Sequence, residues 1–150
     1  MIRQFQTTDS AECAKIINMC HRSMADLDED QIEFLLKKYT SEYLKKEYKK
    51  HHALVYEENG KILGVGTLII KDAEIRGLYI DPRFHGKGIG SQLLRELEEE
   101  AKRQNISKVH VKSYFKPESF YNKCGYNKIE KGEIQRGTVK FPFVSMEKKV

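Results

Sequence analysis

Nine consecutive residues near the middle of the chain, Arg83-Phe84-His85-Gly86-Lys87-Gly88-Ile89-Gly90-Ser91, alternate glycines with basic side chains. They lie between a strand ending at Ile80 and a helical stretch that carries Ile89, Leu93, Leu94, Leu97 and Ala101 on one face. A helix N-terminus exposes unsatisfied N–H donors and a partial positive charge, and glycines let a bulky anion approach the backbone. The pattern predicts a pyrophosphate cradle, with Arg83 and Lys87 adding counter-charge. Two other phosphate motifs are excluded by spacing. The P-loop needs Gly-Lys-Ser/Thr where this chain has Gly86-Lys87-Gly88, and the dinucleotide fingerprint needs G-x-G-x-x-G. The competing reading is a tight strand-to-helix turn whose glycines serve backbone geometry alone.

The elements that would position this loop follow from periodicity. Ile2 to Phe5 reads as a short strand, and Asp9 with Glu12 has the form of a capping box before a helix with Cys13, Ile16, Ile17, Cys20 and Met24 inward. A second helix is expected over Glu29 to Tyr39, with Ile32, Leu35 and Leu36 inward, and a third from Thr40 or Ser41. The period then turns extended: Ala53 to Tyr56, an Asn59-Gly60 turn, Lys61 to Ile70, and Ala73 to Ile80. After the loop and its helix come a strand at Val109 to Ser113, a short helix at Pro117 to Lys123, and strands near Tyr126 to Glu130 and Thr138 to Met146. This order predicts an α/β domain with a mixed sheet.

With 150 residues and no repeat or Pro/Gly/Ser-rich linker, one domain over 1–150 is expected. No apolar run approaches the ~20 residues of a membrane span, and the N-terminal residues show no secretory h-region, so the expectation is a cytoplasmic protein without a membrane partner. Cys13, Cys20 and Cys124 lack metal or redox spacing and read as reduced thiols. The net charge of +5 admits nucleic acid. Lysines alternate with glutamates, however, so the charge reads as a solvated mixed surface and no nucleic-acid partner is expected.

Downstream, Phe120-Tyr121-Asn122-Lys123-Cys124-Gly125-Tyr126 resembles the aromatic-Tyr-x-Lys-x-Gly-Phe/Tyr segment of the GNAT N-acetyltransferases. Arg83, Gly86 and Gly88 likewise match that family's Arg/Gln-x-x-Gly-x-Gly/Ala signature. The resemblance runs from about Glu74 to Tyr126, and the tail with Phe141-Pro142-Phe143 is similar to small stand-alone members. It implies the GNAT fold: a mostly antiparallel mixed sheet, splayed between Ala73–Ile80 and Val109–Ser113 and flanked by helices. It further implies acetyl-coenzyme A as cosubstrate, with the pyrophosphate on the Arg83 to Ser91 loop, His85, Gly90 and Ser91 included. The pantetheine arm would run along Leu78-Tyr79-Ile80, and Tyr121 would be the general acid that protonates the leaving thiolate. Where many members carry a pantetheine-binding Asn, this chain offers Ser113, Tyr114, Phe115 and Lys116. Ser113 could substitute, and Lys123 completes the implied cofactor set.

An alkylammonium must lose a proton before its nitrogen attacks a thioester, so a base is needed. In a regular strand Glu74 would share a face with Leu78 and Ile80, which claim that face for the core. Ile75 has the opposite parity and Gly77 interrupts the run, which suggests a bulge that turns Glu74 to the side of Tyr79. Glu74 is accordingly the candidate base, with water as the alternative.

Asp26, Asp28 and Asp30 imitate a calcium loop, but Gln31 and Lys37 occupy its Gly and Glu positions, so no metal is expected. With Glu29 and Glu33 they form a solvated acidic loop that could also attract a cationic amine. The expected function is acetyl transfer from acetyl-coenzyme A to the primary amine of a small molecule or peptide in a ternary complex; a homodimer is left open. A non-catalytic coenzyme A-binding module and a basic nucleic-acid-binding domain are the alternatives.

Overall fold

The stripe Ile89, Leu93, Leu94, Leu97, Ala101 forms the buried face of α4 (Ile89–Arg103), and what it packs on explains an oddity of the strand sequence. Strand β3 (Lys61–Ile69) carries Gly64 and Gly66 in its interior. A Cβ at Gly64 would sit 2.8 Å from Ile80 Cδ1 and 3.0 Å from Leu93 Cδ1, so the glycines let helix and sheet approach closely. The computed structural model describes residues 1–114 and 118–150.

Around this contact the chain adds β1 (Ile2–Gln4), α1 (Ser10–Arg22), α2 (Glu29–Lys38), α3 (Ser41–Tyr48), β2 (His52–Glu58), β4 (Glu74–Ile80), β5 (Lys108–Ser113), α5 (Glu118–Lys123), β6 (Asn127–Arg136) and β7 (Val139–Lys149). The strands form one sheet in the order β1-β2-β3-β4-β5-β7-β6, antiparallel except for β4–β5. Core side chains of α4 cover one face together with Tyr121 and Tyr126, and those of α1 and α3 cover the other. The α/β mixed sheet flanked by helices agrees with the expected fold, and Cys13 and Cys20 are core residues.

One local expectation changes. Asp9 and Glu12 do not close a capping box on α1: the Asp9 carboxylate accepts from the Gln6 amide and pairs with Arg3, while Glu12 Oε2 accepts the Ile62 N–H at 2.6 Å. Both carboxylates satisfy partners outside the helix, because the β1–α1 connection must be tied to the sheet. The capping box forms instead on α2, where Asp28 Oδ1 accepts from the Gln31 amide and Gln31 Oε1 accepts from Asp28 N–H. The expected helix start at Pro117 lies outside the described residues, as do Phe115 and Lys116.

Candidate active site

At the loop, Gly86 and Gly88 have φ of 79° and 81°, the left-handed region that disfavours side chains. Gly88 is the N-cap of α4, and no side chain caps that terminus. The helix start is therefore left with unsatisfied donors and no acidic residue in its first turn, which suits an anion. The other loop residues divide the work. Arg83 donates from Nε and Nη2 to the buried Asp81 carboxylate (3.1 and 2.7 Å), so its guanidinium braces the loop as well as supplying charge. His85 Nε2 donates to the Ile80 carbonyl at 2.9 Å, and Lys87 lies over the Phe84 ring. Gly90 faces inward, where a Cβ would meet Phe120 at 3.3 Å; its role is close packing of α4 against α5. Ser91 Oγ lies 3.9 Å from Cys124 Sγ.

Beside the loop the sheet opens. Strand β5 pairs with β4 only at Glu74↔His110 and Ile75↔Val111, so among the described residues no strand covers the β5 side of Gly77–Ile80. This is the splay that the family resemblance implies. Leu78, Tyr79 and Ile80 form the uncovered edge, with the Ile80 carbonyl already held by His85 and by Cys20 Sγ (3.0 Å).

The register between β3 and β4 shifts between Val65↔Tyr79 and Thr67↔Arg76, which places the extra residue at Gly77 and Leu78. Gly77 has φ 67°, so the bulge uses the left-handed conformation only glycine adopts cheaply. Its effect is to put Ile75, Leu78 and Ile80 in the α4 core while Tyr79 joins the α1 and α3 core. Glu74 then lies toward the Tyr79 side and lines a cavity of about 210 Å³ that also reaches Leu78, Tyr79 and Tyr121. Arg76 Nε donates to Glu74 Oε2 at 2.8 Å, and Nη2 bonds the same oxygen. The carboxylate is thus ion-paired, which the sequence pattern did not suggest.

Tyr121 is 5% exposed, packed edge-on against Phe120 and Tyr126. Among the described residues nothing hydrogen-bonds its hydroxyl. Burial, and then Cys124, raise the phenol well above its ordinary value, so it is protonated at neutral pH. Ser113 is buried at the end of β5, paired in register with Val144, and Lys123 is exposed in the last turn of α5. Neither lines the cavity.

Several cavity residues had no local sequence signal. Lys38 and Tyr39 end α2, Tyr43 lies in α3, and Arg136 and Phe141 flank the β6–β7 turn. That hairpin tip is held against α2 by a bond from Gln31 Nε2 to the Lys140 carbonyl (2.7 Å) and by the Phe34–Phe141 ring pair. Behind the lining residue Tyr79 lies the buried His21, whose Nε2 is 3.2 Å from the Tyr79 hydroxyl; burial and Lys38 push the imidazole down to about 4, so it is neutral at pH 7. By contrast, none of Asp26, Asp28, Glu29, Asp30 and Glu33 lines the cavity.

A second buried cluster supports the site from behind. Glu98, on α4, accepts from the Tyr126 hydroxyl (2.8 Å) and from Lys148 Nζ (2.9 Å), tying α4 to β7 and to the segment after α5. Replacing it with alanine strands two donors, one of them in the core. Glu98→Ala should lower unfolding stability by about 2 kcal/mol, read as a reduced urea midpoint at unchanged slope.

An uncapped helix start with left-handed glycines, a bulged strand with one bare edge, and a buried phenol lining the cavity thus lie close together in the fold. The sequence matches the acetyltransferase (GNAT) domain family over residues 23–150, so the chain belongs to the GNAT acetyltransferase family. Solved structures share the fold at low identity. A GCN5-related N-acetyltransferase from Rhodopseudomonas palustris superposes with a TM-score of 0.92 at 20% identity, covering 100% of this chain and 95% of that one. The PaiA N-acetyltransferase from Thermoplasma acidophilum, in complex with coenzyme A, gives 0.83 at 22% identity, with 100% and 98% covered. The yncA structure from Salmonella typhimurium, with its cofactor acetyl-CoA, gives 0.71 at 19%, with 99% and 92% covered.

Proposed function

We propose that the protein, acting as a single domain, transfers an acetyl group from acetyl-coenzyme A to a primary amine, directly and within a ternary complex. The observation that carries this reading is the bare β4 edge, which leads from the uncapped start of α4 to the cavity holding Tyr121. Acetyl-coenzyme A, when bound, supplies the activated thioester. The free N–H groups at Gly88 to Gly90 and the Lys87 charge fit its pyrophosphate, and the Gly77–Ile80 edge fits an extended amide-bearing arm.

The chain's own groups then divide the proton work. The amine enters from the α2, α3 and β6–β7 side and must be neutral to attack. Glu74, or a water it orders, accepts its proton; the bond from Arg76 fixes the orientation of that carboxylate. Tyr121 supplies the proton to the leaving sulfur, and burial guarantees that it starts protonated. No covalent enzyme intermediate is required.

The test is release of free thiol from acetyl-coenzyme A with a panel of polyamines, amino acids, aminoglycosides and peptide N-termini. Amine-dependent thiol release with a matching N-acetylated product is expected. Tight binding of acetyl-coenzyme A without release for any amine would leave only a binding module.

A further inference from the structure

The cavity is lined by four cationic side chains, Lys38, Arg76, Lys112 and Arg136, and by one carboxylate, Glu74, which Arg76 already engages. Among the described residues no carboxylate lies within ion-pair distance of the other three. Lys112 and Arg136 are exposed, where charge alone means little, but Lys38 is not: it is half-buried, with Nζ 5.3 Å from the Tyr39 ring centre and 5.8 Å from that of Tyr43. Its ammonium is held below the usual lysine value by burial, then by the charges of Arg136 and Arg76. A protein retains such mutually repelling cations around a cavity at a cost in stability, and a bound anion relieves that cost.

We infer that the amine acceptor also carries a carboxylate, which Lys38 and Arg136 hold at the α2 and β6–β7 side of the cavity. The inference rests on the transfer reading above and names the substrate class for it. A polyamine or simple alkylamine enters as a cation and is repelled by the same field, and the acidic residues that could have attracted it lie elsewhere. A zwitterion carries no net charge and anchors by its anion. Once it is anchored, the surrounding positive charge favours the neutral amine, which is the nucleophile. The flat rings of Phe34, Tyr39 and Phe141 suit an apolar remainder.

The experiment compares matched pairs differing only in the carboxylate: phenylalanine with phenethylamine, leucine with isoamylamine, lysine with cadaverine. Thiol release gives kcat/KM for each, and calorimetry gives the affinity of N-acetylphenylalanine against N-acetylphenethylamine in the presence of coenzyme A. The carboxylate member should be favoured by at least about tenfold in both readouts. Lys38→Gln with Arg136→Gln should remove that preference, bringing kcat/KM for phenylalanine to or below that for phenethylamine, while coenzyme A affinity changes by no more than about threefold. Equal or better use of the decarboxylated members would overturn the inference and leave acetyl transfer standing, as would a carboxylate preference that survives the double substitution. Bound acetyl-coenzyme A with no thiol release from any pair would overturn the transfer reading, and the acceptor assignment with it.

Discussion

Replacing Tyr121 with phenylalanine should reduce the single-turnover acetylation rate by ~100- to 10,000-fold, while the dissociation constant for coenzyme A stays within a few-fold. The substitution keeps the ring that packs on Phe120 and Tyr126 and removes a hydroxyl that bonds nothing among the described residues, so the fold has little to lose. What is lost is the proton for the departing sulfur. The sequence alone predicts that the phenol, titrating near ~10, would cause an alkaline fall in rate that vanishes in the variant. Burial revises this, because it raises the titration above its ordinary value. Any alkaline decline attributable to Tyr121 in the wild-type rate should therefore be displaced to higher pH than a free phenol would give. Single-turnover conditions are required, since slow product release would hide the chemical step. An unaltered rate with a true acceptor would show that water or another side chain protonates the sulfur, and Tyr121 would become a packing residue.

Gly88→Val should weaken coenzyme A binding by ten- to a hundredfold, about 1.4 to 2.8 kcal/mol, measured by calorimetry. Space inside the protein is not the obstacle: the nearest atom to a Cβ there is Gln92 Nε2 at 3.8 Å. The obstacles are the φ of 81°, which a β-branched residue avoids, and a side chain standing where an anion would approach the α4 amides. Because Gly88 is exposed, the circular dichroism spectrum should be preserved. Equal binding by the variant would sink the cradle and return the loop to a plain turn.

Together the two substitutions separate holding the cosubstrate from acting on it. Tyr121 lies on α5 and Gly88 at the start of α4, and the two helices are fitted to one another by Gly90, whose missing side chain admits the Phe120 ring. Glu98 ties α4 to the segment following α5 through Tyr126 and to β7 through Lys148. The loop and the phenol are thus positioned by one buried seam.

What the sequence determined by itself was whatever depends on neighbours along the chain. The strand, glycine loop and amphipathic helix around Arg83 to Ser91 follow from periodicity and from the conformational freedom of glycine, as does the bulge, since Gly77 and the parity clash between Ile75 and Leu78 are both local. Tertiary structure decided everything that depends on which elements meet. Glu74 and Arg76, two residues apart, share a face of β4 by ordinary strand alternation, and the fold turns that face to the cavity; Arg83 turns back to Asp81 because that carboxylate is buried beside it. The acceptor cavity was illegible for the same reason. Lys38 and Arg136 are nearly a hundred residues apart, each unremarkable among its charged neighbours. They share one electrostatic field only because β7 inserts between β5 and β6 and carries the hairpin tip against α2.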